Sequence, residues 1–394
     1  MPGQIFEDAY RTVSLDRLVD IVLLEGFAFA DDMAAARREA LEAVDHWIEG
    51  GLPTRQGPDG PLFDPVEVDF HATRAGRRGD DDFWERHFVA TLRGFVTELE
   101  REAPQQMTVD YTRTFNLDDV PAGETKRLRM PLPLPGRYAN TAITPHLPPD
   151  TVGHRLSDGR LEVRVVSQGA PIRIGARCII ELASGRDEEL ANRDLYLRPS
   201  EGLVATTPQV EALAHRLAGS EHPEAAIRNL FDHLLDDFTF CQIHYDQVPV
   251  ETPLDWVLRT RVYDCQLASA LFIAMCRARG IPARMVSGNF LYRRSPTNHY
   301  WAEAWLENGG WTPFDFIAWD LSCGGVDSDW RNRFFGQVDP RLVTECLPLS
   351  FTGATGVAVP SRWHILRSIA GTGAAIDLIG LDGRSVYRDE VSIV

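Results

Sequence analysis

The periodicity of apolar positions changes three times along the chain and divides it into four regions. Up to about residue 105 the apolar residues recur at helical spacing. Ser14 is placed to cap a short helix ending at Leu24. Asp31 and Asp32 precede an Ala-rich helix ending at Gly50-Gly51. Asp80-Asp81-Asp82 precede a third helix running to about Glu102, with Phe83, Trp84, Phe88 and Phe95 partly periodic. Between the second and third helices, Leu52–Arg78 reads as loop because Pro53, Pro58, Pro61 and Pro65 interrupt it.

From 106 to 200 the period shortens to two. Met107–Leu117, Lys126–Leu132 and Arg160–Val166 alternate, Ile172–Leu182 is largely apolar, and Asp158-Gly159 is a hairpin signal. Short strands at this spacing predict a small β-sandwich-like domain. From 201 to 350 helical and strand patterns mix, and 351–394 carries short apolar runs between glycines. The expected architecture is α+β: an N-terminal helical region over 1–105, a β-domain over 106–200, a mixed domain over 201–350, and a C-terminal extension over 351–394 packed on the others. There is no internal repeat and no low-complexity linker, so packed rather than tethered domains are expected.

The segment Val262–Ser322 carries the chemistry. Gln266 to Arg279 reads as a helix, with Leu267, Leu271, Ala274 and Ala278 at helical spacing, Gly280 just past its end and Pro282 beyond. Asp264 is placed as N-cap, which puts Cys265 at the helix N-terminus. Backbone amides and the helix dipole there favour a thiolate and can donate to an oxyanion. The plainer reading of Cys265 is a buried helix cysteine. From His299 to Glu307 the chain alternates, with His299, Trp301, Glu303 and Trp305 on one face and Tyr300, Ala302, Ala304 and Leu306 on the other. Asn308-Gly309-Gly310 turns the chain, and the return strand from Trp311 to Phe316 brings Asp315 back towards His299. A thiol, an imidazole and a carboxylate in this order suit a nucleophile, its general base and an orienting acid.

These motifs resemble the transglutaminase-like superfamily, relatives of papain-type cysteine proteases. The shared pattern is a Cys opening a helix, a Gly-Ile-Pro-Ala-Arg exit at 280–284, a His-x-Trp-x-Glu strand at 299–303 and a Gly-Gly-Trp-x-Pro-x-Asp strand at 309–315. The resemblance runs from Thr206 to Ser322 and takes in the lead-in helices Pro208–Leu217 and Pro223–Leu235 and Tyr245. It implies a papain/transglutaminase-like catalytic domain with Cys265 as nucleophile, His299 as general base and acid, and Asp315 as the orienting residue. Leu128-Arg129-Met130-Pro131-Leu132-Pro133 is similar to the β-domain that precedes such catalytic domains in bacterial proteins. The chain departs from the pattern before the nucleophile, with Tyr263 and Asp264 where a Gly is usual, and after it, with Leu267 where an acid is usual. Those departures bear on the substrate side of the thiol.

For the oxyanion, the Cys265 amide is one candidate donor. Gln242, Tyr245 and Trp256 offer side-chain donors upstream, and spacing does not select among them. Tyr263, Tyr300 and Trp301 are candidates for substrate contact, with core packing as the alternative for each. The expected reaction is acyl transfer from an amide or thioester donor, free or on a peptide or carrier, through a Cys265 thioester to an amine. Hydrolysis with water as acceptor uses the same groups, and a non-catalytic interaction module of the same fold is the third reading.

Composition narrows the partners. With 44% hydrophobic residues and no apolar run near ~18 residues, no membrane span is expected. A net charge of −17 argues against nucleic acid and anionic membranes as partners. Six unpatterned cysteines do not form a disulfide framework, and the first eight residues show no basic stretch leading into an apolar core, so a cytoplasmic location is expected. Phosphate-loop and dinucleotide-binding glycine motifs are absent, no calcium-loop pattern occurs, and no cofactor is expected. His71 and its acidic neighbours match no ligand spacing, so no metal is expected either.

Overall fold

The computed structural model describes residues 12–24, 32–52, 54–64, 90–184, 190, 192–219, 222–241, 243, 248–249, 251–293, 296–317, 328–346, 363–370, 373–380 and 385–394. The chain is α+β. Strand β1 (Val13–Ser14) leads into helix α1 (Leu15–Leu24), whose Arg17 amide donates to Ser14 Oγ at 3.4 Å. Helix α2 (Met33–Glu49) is capped by Asp32, which accepts from the Ala34 amide at 2.9 Å, and ends at Gly50. Leu18, Val19 and Val22 of α1 pack on Ala36, Ala40, Val44 and Trp47 of α2.

The expected loop after α2 is corrected in its first part. Strands β2 (Thr54–Gly57) and β3 (Gly60–Phe63) form a hairpin, and β3 also pairs with β1. Pro58 falls in the turn, Gly60 takes a positive φ of 129°, and Phe63 is fully buried among the two helices. The prolines punctuate the hairpin rather than exclude it. His71, Phe83, Trp84 and Phe88 lie outside the described residues. Helix α3 (Ala90–Glu102) packs Phe95, Val96 and Leu99 into the core of the β-layer that follows.

That layer comprises β4 (Gln106–Phe115), β5 (Thr125–Pro131), β6 (Tyr138–His146), β7 (Thr151–Ser157), β8 (Arg160–Val166) and β9 (Ile172–Ser184). Strands β5-β8-β7 form one antiparallel sheet, with Asp158 and Gly159 both at positive φ in the β7–β8 turn. A two-residue turn of this kind matches the twist of the strands it joins.

Beyond it come β10 (Ser200–Glu201), β11 (Val204–Ala205), α4 (Pro208–Ala218), α5 (Pro223–Asp237), β12 (Thr239–Phe240), α6 (Pro253–Thr260), β13 (Val262–Tyr263) and α7 (Cys265–Ala278). Strands β14 (Ala283–Phe290), β15 (Asn298–Leu306) and β16 (Gly310–Phe314), helix α8 (Ser328–Arg333) and strand β17 (Arg341–Cys346) follow. The sheet order is β16-β15-β14-β17, antiparallel throughout. Helix α7 lies on this sheet, with α4, α5 and α6 around it. It is buried from Cys265 to Arg277, so it is the central helix of this region.

The C-terminal strands β18 (Trp363–Ala370), β19 (Gly373–Gly380) and β20 (Ser385–Ile393) return to the β-layer. Strand β20 pairs with β4, giving a six-stranded sheet of order β18-β19-β20-β4-β9-β6. A buried pair reinforces that join, since Arg113 Nε donates to Asp389 Oδ1 at 2.6 Å. The β-layer also grips the four-stranded sheet. Arg137 donates to both carboxylate oxygens of Glu303 at 2.8 and 2.9 Å, and Tyr138 Oη donates to the Arg341 carbonyl at 2.9 Å.

One close approach fixes β17 against β14. The register shifts between Ser287 and Gly288, and a Cβ on Gly288 would lie 1.7 Å from the Leu342 carbonyl oxygen. Gly288→Ala should therefore destabilise the protein by roughly 2 kcal/mol or more, as overpacked core sites do. Gly94→Ala, in open space on α3, should be neutral or stabilising by up to ~1 kcal/mol. Thermal melts of both variants check this; equal shifts would contradict the close approach.

Candidate active site

Cys265 is the first residue of α7, and Asp264 caps the helix. Asp264 Oδ1 accepts from the amides of Gln266 at 3.0 Å and Leu267 at 2.9 Å. Its charge is thereby engaged by the helix end, which tempers its repulsion of a thiolate. With those two amides occupied, the Cys265 amide is the helix-end candidate for an oxyanion. Parallel pairing of β12 with β13, and a bond from the Cys241 amide to the Tyr263 carbonyl at 3.0 Å, hold the approach to the thiol.

His299 is the second residue of β15 and pairs with Gly288 of β14. Asp315 follows the last residue of β16. His299 Nε2 meets Asp315 Oδ2 at 2.8 Å, and Asp315 Oδ1 accepts from the Ile317 amide at 3.0 Å. The Cys265 thiol also acts on this imidazole and helps to raise its pKa. Because Nε2 is engaged by Asp315, Nδ1 is the ring atom that can meet the sulfur. The ring stacks on Phe290, with centroids 4.6 Å apart and planes 24° apart.

Burial by itself would strip the proton from His299. The charge and hydrogen bond of Asp315, followed by the Cys265 thiol, outweigh it and raise the imidazole to about 9. Cys265, His299 and Asp315 are only 6%, 4% and 0% exposed. Transfer of a proton from thiol to imidazole inside this set changes no net charge, which makes it feasible in a poorly solvated place.

Two further groups belong to the arrangement and had no signal in the sequence pattern. Arg341 Nη1 lies 2.6 Å from Asp315 Oδ2, and its Nη2 donates to Asp339 Oδ1 at 3.0 Å. The guanidinium sits 4.9 Å from the ring centroids of both Phe290 and Trp301. Nothing short of the β14–β17 pairing brings Arg341 to Asp315.

The remaining candidates fall in different places. Gln242 and Tyr245 lie outside the described residues. Trp256 is buried in the core around α7. Tyr263 is fully buried, donates its hydroxyl to the Leu234 carbonyl at 3.1 Å and stacks on Phe238, so its polar end is engaged inside the fold. Tyr300 packs against α7, hydrogen-bonds Gln266, and is raised in pKa by burial. Trp301, on the other face, packs with Leu134, Val286 and Cys346. Glu303 pairs with Arg284 at 2.7 Å and is a structural group. Among the other described cysteines, burial pushes Cys178 up to about 12 and Cys276 higher still, so both are poor nucleophiles. Cys323 lies outside the described residues. Among those described, no group of three or more His, Cys, Asp or Glu is arranged to hold a metal, and no helix is long and apolar enough to cross a membrane.

The raised His299 pKa has a consequence for stability. The folded state holds that proton more tightly than the unfolded chain, where the value is about 6.5. The stabilisation is fully present below about pH 6.5 and is lost as pH rises through about 9. Its size is roughly 3 kcal/mol. Denaturant melts of wild type should show stability falling across that window, with the slope largely absent in His299→Gln. The same slope in both proteins would contradict the assignment.

Residues 211–316 match the family model of the transglutaminase-like superfamily. No curated protein matches the sequence. Among solved structures, a candidate cysteine protease from Cytophaga hutchinsonii is 13% identical, with TM-score 0.43, covering 73% of this chain and 97% of that one. The periplasmic domain of TgpA from Pseudomonas aeruginosa is 18% identical, with TM-score 0.32, covering 59% and 95%. Red sea bream transglutaminase is 11% identical, with TM-score 0.26, covering 69% and 75%. Superpositions at these scores carry no information about chemistry. The family match does bear on the site, because its span, residues 211–316, takes in Cys265, His299 and Asp315.

Proposed function

We propose that the protein is a cysteine acyltransferase that forms amides through a Cys265 thioester. The observation that carries this reading is the buried His299–Asp315 bond at 2.8 Å, with the Cys265 thiol at the start of α7 acting on the same imidazole. With the thiol proton already held on His299, the Cys265 Sγ thiolate attacks the carbonyl carbon of an amide or thioester donor. The tetrahedral oxyanion is held by the Cys265 amide. Collapse breaks the bond to the leaving group, which takes the proton from His299, and leaves the acyl group on Sγ. An amine then attacks the thioester, His299 takes its proton, and collapse releases the amide and returns the thiol. Asp315 orients the imidazole and stabilises its protonated form.

The near-complete burial of Cys265 and His299 favours an amine acceptor over bulk water. A carrier-bound or peptide donor suits such a site, since binding away from the thiol can supply the energy of entry. A reducing compartment such as the cytoplasm suits the five free thiols among the described residues.

Intact-mass analysis with an activated ester should show a single acyl adduct on Cys265. Cys265→Ala and His299→Ala should each abolish it while melting like wild type. Asp315→Asn should keep a residue of activity on the order of 10⁻⁴, because orientation rather than the nucleophile is lost. Adding a primary amine should divert product from acid to amide. Acid as the sole product at every amine concentration would make the protein a hydrolase, and full acylation of Cys265→Ala would overturn the mechanism.

A further inference from the structure

We propose that Arg341, with Asp339 behind it, is a positioning residue of this site that sets how much negative charge Asp315 presents to His299. The inference rests on the reading of His299 and Asp315 as partners of Cys265, and it adds a group outside that set.

The geometry is specific. A single oxygen, Asp315 Oδ2, is hydrogen-bonded to His299 Nε2 at 2.8 Å and ion-paired with Arg341 Nη1 at 2.6 Å, a contact without hydrogen-bond geometry. The guanidinium is 1% exposed and Asp315 0% exposed, so the contact is not screened by water. A guanidinium does not give up its proton, so Arg341 keeps Asp315 ionised instead of neutralising it by proton transfer. Arg341 is divided, however, because its other amino group serves Asp339 at 3.0 Å. One cation between two buried carboxylates leaves the set one unit negative. Protonating His299 makes it neutral. That balance holds the proton on the imidazole, yet moderates the hold enough for the proton to be passed on.

The other charged and titratable groups around His299 do not supply this control. Cys265 faces it from α7, and Phe290 of β14 is apolar. Tyr292, beyond β14, interacts with Asp339 and is kept protonated by burial. Glu345 of β17 acts on Tyr300, on the other face of β15. His299 and Arg341 are the two charged groups seen in direct contact with Asp315 among the described residues.

Changing the two outer charges should move His299 in opposite directions, which a merely structural role would not do. Removing the Arg341 cation leaves two unbalanced carboxylates and raises the imidazole pKa. Removing the Asp339 charge commits Arg341 to Asp315 and lowers it. The experiment is a pH titration of the full chain carrying ¹³Cε1-labelled histidine, followed by NMR, with the His299 signal assigned by its absence in His299→Gln. Wild type should titrate near 9. Arg341→Met should titrate higher and Asp339→Asn lower, each by about one unit or more, and Arg341→Lys should stay near wild type. Asp339→Asn is nearly isosteric, so it reads the proposal even if Arg341→Met does not fold. An unchanged midpoint in Asp339→Asn, or shifts of the same sign in both variants, would overturn it. The titration does not depend on turnover: opposite shifts without any Cys265 adduct would sink the acyltransferase reading alone, and an adduct without shifts would sink this one alone.

Discussion

Asp315 is a fully buried carboxylate, and the arrangement of the site follows from the need to pair its charge. An ionised carboxyl in that position is costly unless cations and amide donors surround it. The fold supplies an imidazole from β15, a guanidinium from the start of β17 and a backbone amide from Ile317. These partners come from separate strands, so the carboxylate ties the order β16-β15-β14-β17 to the chemistry. The close approach of β17 to Gly288 belongs to the same constraint, because it sets where Arg341 arrives.

The second determinant is α7. Its burial on every side fixes the position of its first residue more firmly than a surface helix could. Asp264 takes the exposed helix-end amides and holds the turn that presents the thiol. The β-layer contributes from outside: the Arg137–Glu303 fork and the Tyr138 bond to the Arg341 backbone grip β15 and β17 just where they carry functional groups. Strand β20 completes that layer by pairing with β4.

What could be read from the sequence was local. The cap at Asp264, the stop at Gly280-Ile281-Pro282, the alternation after His299 and the turn before Trp311 are short-range signals, and each element they imply is present. They suffice to bring His299 and Asp315 together, because a hairpin fixes its own register. Arg341 was not legible because it is separated from Asp315 by a segment of different pattern, and its role arises from a non-local pairing. The hairpin at Thr54–Phe63 was hidden by prolines that mark its turn and flanks. The six-stranded sheet was hidden because its central join, β4 to β20, connects opposite ends of the chain. The extent of burial of α7 is not fixed by its spacing, which reports the apolar positions and is silent on how many neighbours surround a helix.

The most direct test of the account is the alkylation rate of Cys265 by iodoacetamide as a function of pH, with peptide mapping, in wild type and His299→Ala. The account predicts that Cys265 reacts faster than Cys178 and Cys276, and that His299→Ala removes the advantage. A Cys265 that reacts no faster than the other buried thiols, or whose profile is indifferent to His299, would contradict the pairing on which the proposed chemistry depends.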